Sequence, residues 1–414
     1  MRVETLVESS PRNLEISDDE ADGLRALGRK LVSQKPWWGA VVSDNDEPEE
    51  TTAIRCNPIG DGQWAVSVDN AVGTVATGDL QLVVVPKIAP PHLLYLFSRT
   101  NAWPRLDETL APLRPDESLM DLVARWYLNA TERLLRGDLI RDYRETRDDL
   151  EAVRGRVDAL GTAQLFYAGR LAATCDFEVF DVDTPLNRVL KAAARAIVRN
   201  PTMAHENRRR AERVVLRMDD VRSLQPDDLR AWVDRRTASY QDPILLARHI
   251  LLSEGRALAS GDVSARSFLI PTPDLIEDGI RNILSAALAD LCTVRKKGRR
   301  LEDSTMTINP DLRFDPVAVG DVKYKLNWGA WPRSDLYQSV AFAAGFRRRE
   351  ALVVSFCDDL RNDLDTVRFG DVALHHLQWR AIETMEVSAA EQQFVYAARA
   401  WWTAVTAPGQ TPGL

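Results

Sequence analysis

Residues 308–325 read INPDLRFDPVAVGDVKYK, a stretch with the apolar content of a core strand and charged groups that a core would not hold. A strand turns successive side chains to opposite faces, so Asp321 and Lys323 project on one side. If Asp315 and Pro316 form a turn, Phe314 faces Val317, and counting outward places Asp311 opposite Gly320, next to Asp321. Two carboxylates this close repel each other unless a cation or a proton lies between them. A hard divalent ion suits them, because Mg2+ favours oxygen ligands and keeps several waters. Lys323, on the same face, is then placed to orient or deprotonate a water attacking a phosphate, which is the chemistry of phosphodiester hydrolysis. The alternative on these residues alone is an exposed charged hairpin without chemistry. Apolar residues flank the motif in AVGDVKYKL, so the charges fall at the end of a mostly buried strand, where open α/β sheets carry their sites.

Downstream, DLYQSVAFAAGF reads as a helix, ALVVSF as an apolar strand and EQQFVYAARAWWTAV as a closing helix. Upstream, TPDLIEDGIRNILSAALADL is an amphipathic helix followed by the basic turn RKKGRR. Residues 266–414 are therefore expected to form an α/β domain, a mixed sheet covered by helices. Residues 96–265 read as mainly helical. There SLMDLVARWYLNATERLLRGDLIRDYRETRDDL predicts two helices parted at Gly137, and TPLNRVLKAAARAIV predicts one capped by Thr184 with Pro185 in its first turn. The arginines of the helix HENRRRAERVVLRMDD are read as a solvated face in preference to a nucleic-acid contact. Residues 241–258 supply another helix. In residues 1–95, QWAVSVDNAVGTVATGDLQLVVVPKI predicts a three-strand meander, ended by Pro86, Pro90 and Pro91, after a polar loop that includes SDNDEPEETT. The fold class expected is multidomain α+β.

The chain has 414 residues, 45% of them apolar, and a net charge of −8, which argues against a protein that coats nucleic acid by bulk positive charge. Local patches remain open to it, since residues 291–349 hold twelve Lys or Arg against six Asp or Glu. No stretch approaches the roughly 20 apolar residues of a membrane span, and the opening residues lack a signal pattern, so a soluble cytoplasmic protein is expected. Cys56, Cys175, Cys292 and Cys357 are scattered and read as buried free thiols. His375 and His376 show no acidic or cysteine partner nearby and are assigned no chemistry. Trp328 and Trp331 read as core or loop anchors rather than base-stacking groups.

With Glu277 on the preceding helix and Gln338 on the following one, the PD and DVK motifs resemble the PD-(D/E)xK nuclease superfamily. The fuller resemblance is to the McrC family, the nuclease subunit of McrBC-type modification-dependent restriction systems. It is carried by GQWAVSVDNAVGTV with LQLVVVPKI, LLRGDLIRDYRETRDDLEAVRGRVD, CDFEVFDVDTPLNRVLK, SFLIPTPDLIEDGIRNIL, and finally DLRF, GDVKYK and DLYQSVAFA, together spanning about residues 60–345.

The resemblance implies that Asp311 and Asp321 ligate Mg2+, or Mn2+ in its place, with the carbonyl of Val322 as a further ligand. It implies that Lys323 is the catalytic lysine, that Glu277 holds a metal-bound water or a second ion, and that Gln338 orients the site or the DNA. Where related nucleases commonly carry a tyrosine four residues after that glutamine, this chain has Phe342. Lys325 and the cluster Arg295, Lys296, Lys297, Arg299 and Arg300 are candidates for contact with DNA phosphates, with a solvated surface as the alternative; Arg347, Arg348 and Arg349 form a second such cluster. The implied partners are a hexameric McrB-like AAA+ GTPase and modified double-stranded DNA, with no membrane. The ring contact is expected in the amino-terminal half, in residues 1–95 above all, and Arg154, Arg156 and Asn187 lie in family-like stretches. A non-catalytic activator of the ring and a stand-alone repair nuclease are the alternatives.

Overall fold

The computed structural model describes residues 2–33, 52–60, 62–100, 103, 119–201, 203–254, 266–301 and 304–407. Residues 43–51 of SDNDEPEETT and residues 255–258 of the expected helix lie outside them. The chain forms two compact units, Met1–Leu119 with Arg256–Leu414, and Met120–Gly255. The divisions expected near residues 95 and 265 fall differently because strand Arg266–Pro271 pairs antiparallel with Ala71–Thr77. That pairing, between segments far apart in sequence, leaves no trace in local composition.

In the first unit, one sheet has the order Arg2–Val7, Leu80–Val85, Ala71–Thr77, Arg266–Pro271, and a second the order Arg12–Glu15, Gln63–Val68, Ile54–Gly60. The expected meander is thus divided, its first strand going to the second sheet. Asn70, at φ 54°, makes the left-handed turn that sends the chain from one sheet to the other. Leu6, Leu24, Ile54, Val66, Val75 and Leu82 share one apolar core there, with Leu24 coming from helix Asp18–Ser33.

The third sheet of this unit is mixed, in the order Thr293–Arg295, Leu312–Asp315, Ala318–Leu326, Glu350–Cys357, Val372–Arg380, Val367–Phe369. Strand Glu350–Cys357 runs parallel to both neighbours and is buried from Ala351 onward, as a strand covered on both faces must be. On one face Val319, Ala351 and Leu374 pack with Ala343 and Phe346 at the end of helix Arg333–Gly345. Phe314 meets Trp401 and Trp402 of helix Val387–Thr406, at ring distances of 5.0 and 6.3 Å. Helix, hairpin, helix and strand follow one another as read from the sequence.

The second unit carries helices Leu119–Leu134, Pro185–Arg199, His205–Arg217 and Gln241–Glu254. Thr184 caps its helix as expected, its hydroxyl accepting from the amide of Asn187 at 3.3 Å. The helix expected after Gly137 is instead strand Asp142–Leu150, paired along its length with Ala173–Asp181. None of its residues is buried, so no apolar periodicity marks it as a strand. All four cysteines are free. No helix among the described residues is long and apolar enough to cross a membrane.

His376 illustrates how the sheet fixes a neutral polar group. Its Nδ1 accepts from the amide of Leu364 at 2.9 Å, its Nε2 lies 2.8 Å from Ser355 Oγ, and Trp328 stacks on the ring at 5.3 Å. Burial pushes its pKa down to about 4. The unfolded chain therefore takes up this proton first, and the stabilisation is complete above about pH 6.5 and lost as pH falls towards 4. Each pH unit of that gap is worth about 1.4 kcal/mol, or ~3 kcal/mol in all. Urea midpoints at pH 7 and 4.5 should diverge less for His376→Gln than for the parent protein; equal divergence would remove His376 from the account.

Candidate active site

The hairpin pairs Leu312 with Gly320, Arg313 with Val319 and Phe314 with Ala318. Its turn takes three residues, 315–317, closed by Val317 N donating to Phe314 O at 2.8 Å. The register is therefore one residue away from that expected, and its continuation sets Asp311 opposite Asp321 instead of Gly320. Gly320 is required by close packing, since a Cβ there would lie 2.6 Å from the carbonyl of Leu352. Strand Ala318–Leu326 pairs with its parallel neighbour up to Val322↔Val354 and resumes at Leu326↔Phe356, so residues 323–325 bulge out of the ladder.

This arrangement draws the five expected catalytic residues together, with Val322, Lys296 and Lys325 beside them. Asp311 and Asp321 are 8% and 4% exposed. Asp311 Oδ2 accepts from Val322 N at 3.0 Å, and Lys323 Nζ lies 2.6 Å from Asp321 Oδ2. The same ammonium donates to Gln338 Oε1 at 2.6 Å. Glu277 Oε2 accepts from Lys296 Nζ at 2.8 Å, and Lys296 also approaches Asp311 Oδ1 at 3.4 Å. Lys325 donates to both oxygens of buried Asp335, at 3.0 and 2.8 Å.

The basic turn divides. Lys296 enters the acid cluster. Arg295 pairs with Asp315 at 2.7 Å, and Arg300 donates to the carbonyl of Ser304 at 2.8 Å. Arg299 and Arg300 form a short strand paired with Thr307–Ile308, and Lys297 is exposed. Phe342 packs on the apolar cluster beneath its helix. Trp331 donates to Asp365 O at 3.0 Å and buried Trp328 stacks on His376, which makes both anchors, as expected. His375 has an acidic partner after all: its Nε2 lies 2.6 Å from Glu350 Oε2, on the parallel strand next to it.

Two contributors were missed. Asp335 and Gln338 are three apart on one helix and share a face, as do Glu277 and Arg281, which are four apart. Arg281 donates to the carbonyl of Asp311 at 3.2 Å, and Asp335 lies 3.9 Å from Lys323. Helical spacing from the two expected residues was the available signal.

Three carboxylates, Glu277, Asp311 and Asp321, thus share two ammonium groups. Burial and then the charge of Asp311 push Glu277 up to about 8. Burial and the neighbouring Asp311 push Asp321 up to about 7, against the pull of Lys323. For Asp311 burial acts upward too, but hydrogen bonds from Asp321 and Val322 N hold it below the usual range. Lys323 is held above its usual value, since Asp321, Asp335 and Asp311 outweigh burial. Asp321 Oδ2 is buried without an aligned hydrogen bond, although Lys323 is near. Among the described residues no three acidic, histidine or cysteine side chains stand as a ready metal cage. What they offer is a largely buried cluster of oxygen ligands, two of whose acids resist ionising without a further cation, which suits a hard divalent ion.

A family model described as McrBC 5-methylcytosine restriction system component matches residues 66–354. The chain belongs to this McrBC family. The match covers most of the separated segments from which resemblance to McrC was read. Among solved structures, a chain in the refined half-complex from the tetradecameric assembly of Thermococcus gammatolerans McrB AAA+ hexamers with bound McrC is similar at 15% identity and a TM-score of 0.67, covering 97% of this chain and 100% of that one. At that identity the likeness shows the fold alone. A chain of the Thermococcus gammatolerans McrBC complex matches at 16% identity and a TM-score of 0.49, covering 69% of this chain and 88% of that one, too loosely to carry an argument. No curated protein matches this McrBC family member.

Proposed function

We propose that this chain is the Mg2+-dependent DNA endonuclease subunit of a McrBC-like modification-dependent restriction system. In this reading it serves anti-phage defence, cutting double-stranded DNA together with a McrB-like AAA+ GTPase hexamer whose hydrolysis it stimulates. The observation that carries the reading is the convergence of Asp311, Asp321, Lys323, Glu277 and Gln338, within a PD-(D/E)xK pattern, in a chain of the McrBC family.

Asp311, Asp321 and the carbonyl of Val322 would hold the ion, and Glu277 a water beside it. Bound there, Mg2+ supplies positive charge to the phosphodiester and acidity to a water. The chain's own groups do the rest. Lys323 remains an ammonium, so it serves as a donor that orients an oxygen and stabilises charge rather than as a base. Gln338 fixes where that ammonium points. Asp335 holds Lys325 beside it, at the edge where a DNA phosphate would arrive.

The test is cleavage of modified DNA by the chain purified with its AAA+ partner, with and without EDTA. GTPase stimulation without any Mg2+-dependent cutting would replace this reading by that of a non-catalytic activator. Cutting without any effect on a GTPase would favour the stand-alone nuclease. Divalent binding is separately expected to raise thermal stability: an ion at a hundred times its Kd adds about 2.7 kcal/mol. Asp311→Ala should lose that Mg2+-induced shift in differential scanning fluorimetry, and an undiminished shift would place the ion elsewhere.

A further inference from the structure

We propose that Lys87 and Glu8 are positioning residues for Lys323, holding the bulged residues 323–325 in place from the two N-terminal strand ends. This rests on the nuclease reading above for its consequence, though not for its geometry.

The bulge takes residues 323–325 out of register with the parallel neighbour, and pairing with the hairpin partner has already ended at Gly320. The segment carrying Lys323 and Lys325 therefore needs other anchors. Lys87, just beyond strand Leu80–Val85, donates from Nζ to the carbonyl of Tyr324 at 3.2 Å. Its ammonium also lies over the Tyr324 ring, 4.4 Å from the centroid. Glu8, just beyond strand Arg2–Val7, is fully buried. One of its oxygens accepts from the hydroxyl of Thr272, the residue that starts helix Pro273–Ala287 and so leads to Glu277. The Tyr324 phenol faces the same carboxyl, although neither Glu8 Oε2 nor that phenol has an aligned hydrogen bond.

One buried carboxyl thus ties the start of the Glu277 helix to the middle of the Lys323 segment. Burial drives Glu8 upward and Lys87 downward, and each opposes the shift of the other. A buried acid and amine of this kind stabilise little on balance against their desolvation, and their use is to impose one geometry. Tyr324 points away from Lys323 along the strand, so holding its ring and carbonyl fixes the backbone from which Lys323 reaches Asp321 and Gln338. Misplacement of about 1 Å costs on the order of a hundredfold in rate.

The experiment compares the full chain with Lys87→Met, Lys87→Arg and Tyr324→Phe by hydrogen exchange and by Mg2+-dependent cleavage with the AAA+ partner. In Lys87→Met, exchange in peptides covering residues 318–328 should rise about tenfold while those from Glu350–Cys357 stay unchanged. Its kcat should fall about ten- to a hundredfold with KM for DNA little altered, and Lys87→Arg should recover most of both. If Lys87→Met loosens the whole unit, Tyr324→Phe decides, because it keeps the held carbonyl and deletes only the hydroxyl facing Glu8. Wild-type exchange at residues 318–328 in the deciding variant overturns the inference. Absence of cleavage by the parent chain would instead sink the nuclease reading, and the exchange result would still judge the clamp.

Discussion

Asp321→Asn should abolish DNA cleavage and at the same time make the metal-free protein more stable. Asp321 is 4% exposed, and its pKa is pushed up to about 7 by burial and by Asp311, a figure that already includes the opposing pull of Lys323. A carboxyl whose folded pKa lies above its unfolded value keeps its proton best in the folded state. Its ionisation then costs stability progressively as pH rises from about 4 to about 7, and by a constant amount above that. Over about three pH units this is on the order of 4 kcal/mol, and asparagine keeps the shape without the charge. Urea midpoints in EDTA should favour the variant more at pH 8 than at pH 5. Mg2+ should narrow that advantage, by about 2.7 kcal/mol at a hundred times its Kd, because it stabilises only the parent protein. Cleavage should fall about a thousandfold or more, since both ion affinity and charge stabilisation are lost. Lys323→Met should also stop cleavage, by about a hundred- to a thousandfold, yet it leaves the acids in place and should retain ion binding. Both variants should still stimulate the GTPase. An Asp321→Asn protein that cuts DNA at the parent rate would refute the assignment, whatever its stability.

Such a site is electrostatically costly, since three acids and two lysines share one largely buried cluster. Stability sacrificed at a functional site is a common trade. It also explains what was legible in the sequence. The face shared by Asp321 and Lys323 follows from period two alone, and the helices bearing Glu277 and Gln338 follow from their apolar spacing. The exact partner of Asp311 did not, because it depends on whether the turn holds two or three residues, and Asp315 and Pro316 suit both. The bulge after Val322 left no local mark either, since DVKYKL alternates as a regular strand would. Lys296 could not be separated from Lys297 by composition. The pairing of Thr293–Arg295 with Leu312–Asp315 carries Lys296 to Glu277 and Asp311, although it stays exposed, as Lys297 does. Strand Asp142–Leu150 was hidden for the opposite reason, having no buried face to read.

That same exposed sheet carries the second large expectation, loss of partner binding. Helix Ala159–Tyr167 has no buried residue, and Leu160, Phe166, Tyr167 and Leu171 are 71%, 68%, 88% and 86% exposed. In residues 1–95, where the ring contact was expected, Val3, Val7 and Ile59 are the large apolar side chains exposed among the described residues, and by 44–56%. The rings of Phe166 and Tyr167 adjoin at 6.3 Å, and exposed apolar side chains on one short segment mark a candidate protein contact, at which aromatic ones supply much of the energy. Arg154 and Arg156 fit a structural role here. Arg154 lies 4.7 Å over the Phe177 ring and donates to Glu178 O at 3.3 Å, while Arg156 pairs in the ladder with Asp176. Residues 142–181 therefore stand beside residues 1–95 as a second candidate for the proposed contact with the AAA+ ring. Changing Leu160, Phe166 and Tyr167 together to serine removes no buried contact, so stability should change by less than about 1 kcal/mol. Affinity for the ring should fall at least about a hundredfold, at roughly 1 kcal/mol or more for each lost anchor. GTPase stimulation should fall with it, while the Mg2+-induced thermal shift remains, because the acid cluster is untouched. A triple variant that binds the ring at parental strength would exclude residues 142–181 and leave the contact to the strands of residues 1–95.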